Sequence, residues 1–134
     1  MTEAEFNAHA RKMLDAWNRQ DVEAVLARYT SDGSYLDPNT GGPVVGREAL
    51  RRYLTRLFEA WEMHWEEREH FLFGEADGAA VLWRATLRPR GGGAEVTVEG
   101  MDLILMEGEL VARNEVHFDR ARLAALLAPA AQAG

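Results

Sequence analysis

Two aspartates stand where a carboxyl group could handle a proton. Asp37 lies in the run Tyr35-Leu36-Asp37-Pro38-Asn39, at the end of an apolar-polar alternation. Pro38 biases it toward extended geometry, and Tyr35 falls on the same face two residues earlier. Such a group could serve as a general base in a partly apolar pocket. Asp-Pro-Asn is also a common turn opener, in which the Asp merely caps the bend. Asp102 is the odder residue, set between Met101 and Leu103 in the run MDLILM. A carboxylate there must be paired, solvated at an edge, or kept protonated by a raised pKa. An outward-facing Asp on a half-exposed strand is the plainer alternative.

These residues need elements to hold them. Residues 34–58 organise the chain: a short strand ends at Asp37-Pro38, a Gly/Pro loop follows, and a helix opens near Gly46. Leu50, Tyr53, Leu54, Leu57, Phe58 and Trp61 repeat at helical spacing on one face. Upstream, Thr2 and Glu5 have capping-box spacing, and Phe6, Ala10, Met13, Leu14 and Trp17 line one face of a first helix. Asp21 caps a short second helix with Val22, Val25, Leu26 and Tyr29 inward, and residues 30–33 read as a turn. Downstream, 64–73, 79–87, 95–106 and 110–118 read as strands, with hairpin turns at 75–78 and 107–108 and a glycine-rich link at 89–93. Asp119 caps a last helix that frays into the tail 129–134. Three helices, one early strand and four antiparallel strands predict an α+β domain, its curved antiparallel sheet wrapped around the N-terminal helices. The inward faces of these elements predict one cavity bordered by Met13, Trp17, Tyr35, Asp37, Phe58, Trp83 and Asp102.

The composition narrows the function. The 134 residues carry a net charge of −7 and no cysteine. One domain over 1–134 is expected, with its core at 2–119 and the last helix and tail at 120–134. The negative charge argues against nucleic acid, and no run approaches the roughly 18 apolar residues of a membrane span. The acidic amphipathic start does not read as a signal peptide, and the lack of thiols fits a cytoplasmic location. His9, His64, His70 and His117 are scattered without metal-ligand spacing, so no metal is expected. No nucleotide cradle or nucleophile motif is present, and no cofactor is expected.

The runs WNRQDVEAVLARYTSDGSYLDPNTGGPVVGREALRRYLTRLF and VEGMDLILMEGELVARNEVHFD resemble the SnoaL-like, ketosteroid-isomerase-like proteins of the nuclear transport factor 2-like superfamily. The resemblance covers about residues 10–119 and implies their cone-shaped fold. It implies that Asp37 matches the isomerases' general base and Asp102 their oxyanion-hole aspartic acid, which they keep neutral. Their third catalytic group, a tyrosine of the first helix, falls at Met13, where Tyr29 or Tyr35 would have to substitute. The hallmark aspartate of the limonene-epoxide-hydrolase branch falls at Val116. The family's range leaves isomerase or cyclase chemistry on a hydrophobic, steroid- or polyketide-like ketone beside simple binding of a small apolar ligand. A homodimer through the convex sheet face is likewise implied, and the mixed faces of 64–73 agree with it.

The register of the last hairpin decides what Asp102 meets. A two-residue turn at Glu107-Gly108 sets it opposite Arg113, which would ionise it. A three-residue turn, Glu107-Gly108-Glu109, sets it opposite Asn114 on an apolar face and raises its pKa. The second register is expected, because it collects Arg113, Glu115 and His117 on the wetter side and needs no buried ion pair.

Overall fold

Capping residues start three of the four helices. In the computed structural model, which describes residues 1–128, Thr2 Oγ1 accepts from the Glu5 N–H while Glu5 accepts from the Thr2 N–H. That box opens α1 (Glu3–Asn18), which buries Phe6, His9, Ala16 and Trp17. Asp21 caps α2 (Val22–Leu26) by accepting from the Ala24 N–H. Asp119 does the same for α4 (Arg120–Leu127) through the Arg122 N–H. The fourth helix, α3 (Arg47–Ala60), starts at Gly46, whose φ of 87° suits a residue without Cβ. It buries Leu50, Leu54 and Phe58, each contributing about 1.5–3 kcal/mol by leaving water.

The strands are β1 (Tyr29–Leu36), β2 (Val44–Val45), β3 (Trp61–Leu72), β4 (Gly78–Pro89), β5 (Val96–Glu107) and β6 (Leu110–His117). They form one sheet in the order β2-β1-β6-β5-β4-β3. The expected α+β architecture is present, with several differences, among them β2 in what was expected to be a loop. The sheet is mixed, since β1 runs parallel to β6. Residues 30–33 belong to β1 rather than to a turn, and Tyr29 opens that strand rather than ending the second helix. The β1–β6 ladder shifts register across them, between Tyr29 and Ser34, and Gly46, just past β2, gives its N–H to the Gly33 carbonyl. Trp61 likewise leaves the helical stripe and begins β3, in extended geometry.

The last hairpin adopts neither expected register. Glu107 pairs with Leu110 around Gly108-Glu109, and Gly108 takes φ 60°. A bulge between Leu105 and Met106 then shifts the ladder, so Asp102 lies opposite Val116. The extra residue on β6 puts Asn114, Val116 and Asp102 on the inner face all the same. Arg113 ends outside, its guanidinium on Glu115 at 2.6 Å. The tail 129–134, expected to fray, lies outside the described residues.

Candidate functional site

Asp37 sits just past β1, 7 % exposed, and its two oxygens do different work. Oδ1 accepts from the Asn39 N–H at 2.7 Å, the turn-capping bond that Asp-Pro-Asn predicts. Oδ2 accepts from the Tyr35 hydroxyl at 2.9 Å and from the Tyr53 hydroxyl. Both tyrosines are held protonated, their pKa values raised first by burial and further by Asp37. Tyr53 comes from α3, where it had looked like one more apolar stripe residue. A phenol at helical spacing facing a strand-end acid is the signal that could have found it.

Asp102 meets a different environment. Oδ1 accepts from the Trp83 indole N–H at 2.9 Å. Oδ2 accepts more loosely from the Asn114 amide at 3.4 Å, and Asn114 Oδ1 in turn accepts from the Tyr29 hydroxyl at 2.9 Å. Burial pushes the Asp102 carboxyl up to about 7, against the lowering effect of its two donors, and Asp37 adds a smaller upward push. Gly100 makes the Trp83 bond possible. It pairs with Trp83 across β4 and β5, and a Cβ there would collide with the indole ring and with the His117 carbonyl oxygen. The glycine leaves the ring flat on the strand, with its N–H aimed at Asp102.

The expected single cavity is two adjoining volumes. An inner chamber of about 80 Å³ is lined by Met13, Trp17, Asp102 and Asn114. An outer cleft of about 530 Å³ is lined by Asp37, Tyr53, Phe118 and residues of α4. Tyr35, Trp65, Trp83 and Val116 border both and form the wall between them. Trp65 and Trp83 meet edge-on with centroids 4.7 Å apart, which makes that wall stiff. Phe58, expected at the cavity, packs in the core against Trp17 at 5.4 Å and borders neither volume. Tyr29 also borders neither, and reaches the site only through Asn114. His9 and Trp65 border the inner chamber and were not expected there. Their positions, mid-helix and on a charge-rich strand, carried no motif. Among the described residues, no three His, Asp or Glu side chains are grouped as a metal site. No described helix is long and apolar enough to cross a membrane.

A family model for the SnoaL-like domain matches residues 10–114. Solved structures agree in fold. A nuclear transport factor 2-like protein from Burkholderia pseudomallei K96243 is 21 % identical, covers 96 % of this chain and all of its own, and has a TM-score of 0.81. A ketosteroid isomerase-like protein from Erwinia carotovora atroseptica SCRI1043 is 28 % identical over 88 % of this chain and 98 % of its own, with a TM-score of 0.71. A protein of ketosteroid isomerase-like fold from Catenulispora acidiphila DSM 44928, solved with trimethylamine, is 17 % identical, covers 89 % and 91 %, and has a TM-score of 0.79. No curated protein matches this chain.

Proposed function

Because this chain belongs to the SnoaL-like domain family, we propose that it is an enzyme, an isomerase or cyclase, acting on a hydrophobic ketone by proton abstraction. Asp37 takes a proton from the carbon beside the carbonyl. The C–H electron pair becomes the enolate double bond, and the carbonyl pair moves onto oxygen. Asp102, protonated, hydrogen-bonds that oxygen; the proton on Asp37 then returns to a different carbon, or the enolate carbon attacks a second carbonyl carbon of the same molecule, whose C=O electron pair moves onto its oxygen and takes the proton from Asp37. The observation that carries this reading is the unequal hydrogen bonding of two carboxyls on either side of one wall, Asp37 in the outer cleft and Asp102 in the inner chamber. Asp102 is held up to about 7, so it keeps its proton near neutrality. Asp37 keeps an acceptor site on Oδ1, which has one protein donor, while Oδ2 has two. The outer cleft has the size of a drug-like ligand site, and the substrate's body lies there with its carbonyl directed past Tyr35 and Trp83 toward Asp102.

The test needs no knowledge of the product. In deuterated buffer the protein should exchange the hydrogens beside the carbonyl of a bound ketone, read by proton NMR, and Asp37→Asn should stop it. Exchange that persists in folded Asp37→Asn at the wild-type rate excludes Asp37 as the base. A second reading, ligand binding without turnover, is favoured by Met13, which supplies no hydrogen-bond donor to the inner chamber. Binding of ketones with no exchange in the wild-type protein would establish that reading.

The proposal extends to a homodimer through the outer face of the sheet. Phe71 and Met101 are 56 % and 42 % exposed there, next to half-buried Leu82, Leu103 and Leu105. Contiguous apolar surface of this kind marks contact sites. Light scattering at micromolar concentration should give twice the chain mass, and a monomer would reject the pairing.

A further inference from the structure

Two residues that line the inner chamber each carry a buried polar atom without a partner among the described residues. His9, on α1, is 4 % exposed, and its Nε2 has no partner among the described residues. Its other nitrogen, Nδ1, lies 3.1 Å from Arg28 Nη2. A guanidinium only donates, so Nδ1 must be the accepting, unprotonated nitrogen. Burial, with the charges of Arg28 and Lys12, lowers the His9 pKa to about 4 and keeps the ring neutral. The ring's single N–H is therefore on Nε2. Trp65, on β3, is in the same position: its indole N–H is buried and unpartnered. Both residues border the inner chamber. Buried donors of this kind ordinarily have an acceptor, since leaving one unmade is costly.

We propose that the inner chamber is a recognition site for a neutral acceptor oxygen, a carbonyl or ether, on the deep end of the substrate, held by His9 Nε2–H and Trp65 Nε1–H. The surroundings define the class. The spare groups of His9 and Trp65 only donate, so they select acceptors. Arg28 is turned to His9 and the Glu109 carbonyl oxygen, and it does not border the chamber. No Arg or Lys borders the chamber to reward an anion. Apart from Glu67 and Asn114, the remaining wall is largely apolar, with Phe6, Ala10, Met13 and Ile104 among its members. A volume of about 80 Å³ is several times the roughly 10–15 Å³ that one water needs, which is room for an acyl group or part of a ring. The substrate then carries two oxygen functions, the reacting carbonyl near Asp102 and a second acceptor further in. His9 and Trp65 act as specificity residues. This rests on the proposed reaction only for calling the ligand a substrate.

The test compares 1,4-diacetylbenzene with 1,4-diethylbenzene, alike in shape but only one of them bearing acceptors. In the wild-type protein the diketone should move the His9 Nε2 and Trp65 Nε1 signals in nitrogen-proton NMR, and it should bind more tightly than the hydrocarbon. In His9→Phe that preference should fall about tenfold, as loss of one buried hydrogen bond predicts. Trp65→Phe should lower it in the same direction, with hydrocarbon binding kept within about threefold. Trp65→Phe and the wild-type NMR shifts decide the matter even where His9→Phe does not fold. Equal binding of the two probes, or a diketone that leaves both signals unmoved, overturns the proposal. No turnover enters these readouts. Absent hydrogen exchange with a retained diketone preference would defeat the proposed reaction alone, and exchange without the preference would defeat the recognition site alone.

Discussion

Asp37 and Asp102 are the same side chain in two settings, and those settings supply them with different hydrogen-bond donors. Asp37 ends a strand at the rim of the outer cleft and meets three donors: one backbone N–H and two phenols. Asp102 lies mid-strand beside the inner chamber with an indole and a distant amide. The two settings differ in the donors they supply. A carboxyl with few donors in an apolar wall keeps its proton and can donate.

Asp37→Asn breaks the comparison most completely. Its amide keeps the shape but cannot take a proton, so hydrogen exchange beside a bound ketone should fall by about 10²–10⁴-fold. Asn there should keep the fold, measured by thermal melting. If Asp37→Asn unfolds the protein, the carboxylate's role as a turn cap outweighs its role at the cleft.

Gly100→Ala attacks the other side. The added methyl meets the His117 carbonyl oxygen, a backbone atom that cannot swing away, and pushes the Trp83 ring off the strand. Overpacking of this kind costs about 1–3 kcal/mol. Thermal melting should show the loss, and the Asp102 midpoint should move because its indole donor is displaced. A melting temperature within a degree of wild type would contradict the placement of Trp83 over Gly100.

A smaller effect sharpens the comparison through pH. Asp102 has its folded pKa raised from 3.8 to about 7, so the folded state holds a proton that the unfolded chain has released across that window. Stability from this group therefore falls as pH rises from about 4 to about 7. His9 acts oppositely. Its folded pKa is lowered from 6.5 to about 4, so the unfolded chain binds the extra proton and stability rises with pH over that window. The two slopes oppose each other in wild type. Asp102→Asn should leave a steeper rise of stability with pH between about 4 and 6.5, and His9→Phe a steeper fall, both read by denaturant unfolding. Parallel profiles for the two variants would contradict this assignment.

How much of this was legible in the sequence follows from how local each feature is. The caps at Thr2, Asp21 and Asp119 and the α3 stripe of Leu50, Leu54 and Phe58 depend on near neighbours, and the sequence shows them. The alternation of β5 put Asp102 on the same face as Val98 and Ile104, which holds whatever the register. The register itself did not, because a bulge at Leu105-Met106 leaves no mark in an apolar run. Its error was harmless for a definite reason: the bulge adds one residue to β6 and so restores Asn114 to the inner face. Residues 30–33 looked like a turn because they form an irregular stretch of β1, across which the ladder to distant β6 shifts register. Tyr53, His9 and Trp65 were visible as residues but not as parts of the site, since each depends on how α1, α3 and β3 pack. The division of the cavity is of the same kind. It arises from four bulky side chains of separate strands meeting, and no single segment records that.

The central claim is that Asp102 is the acid and keeps its proton near neutrality. The direct measurement is the carbon-13 chemical shift of its side-chain carboxyl, assigned with Asp102→Asn and followed against pH. The account predicts a midpoint near 7. A midpoint near 4, that of an ordinary exposed aspartate, would contradict it.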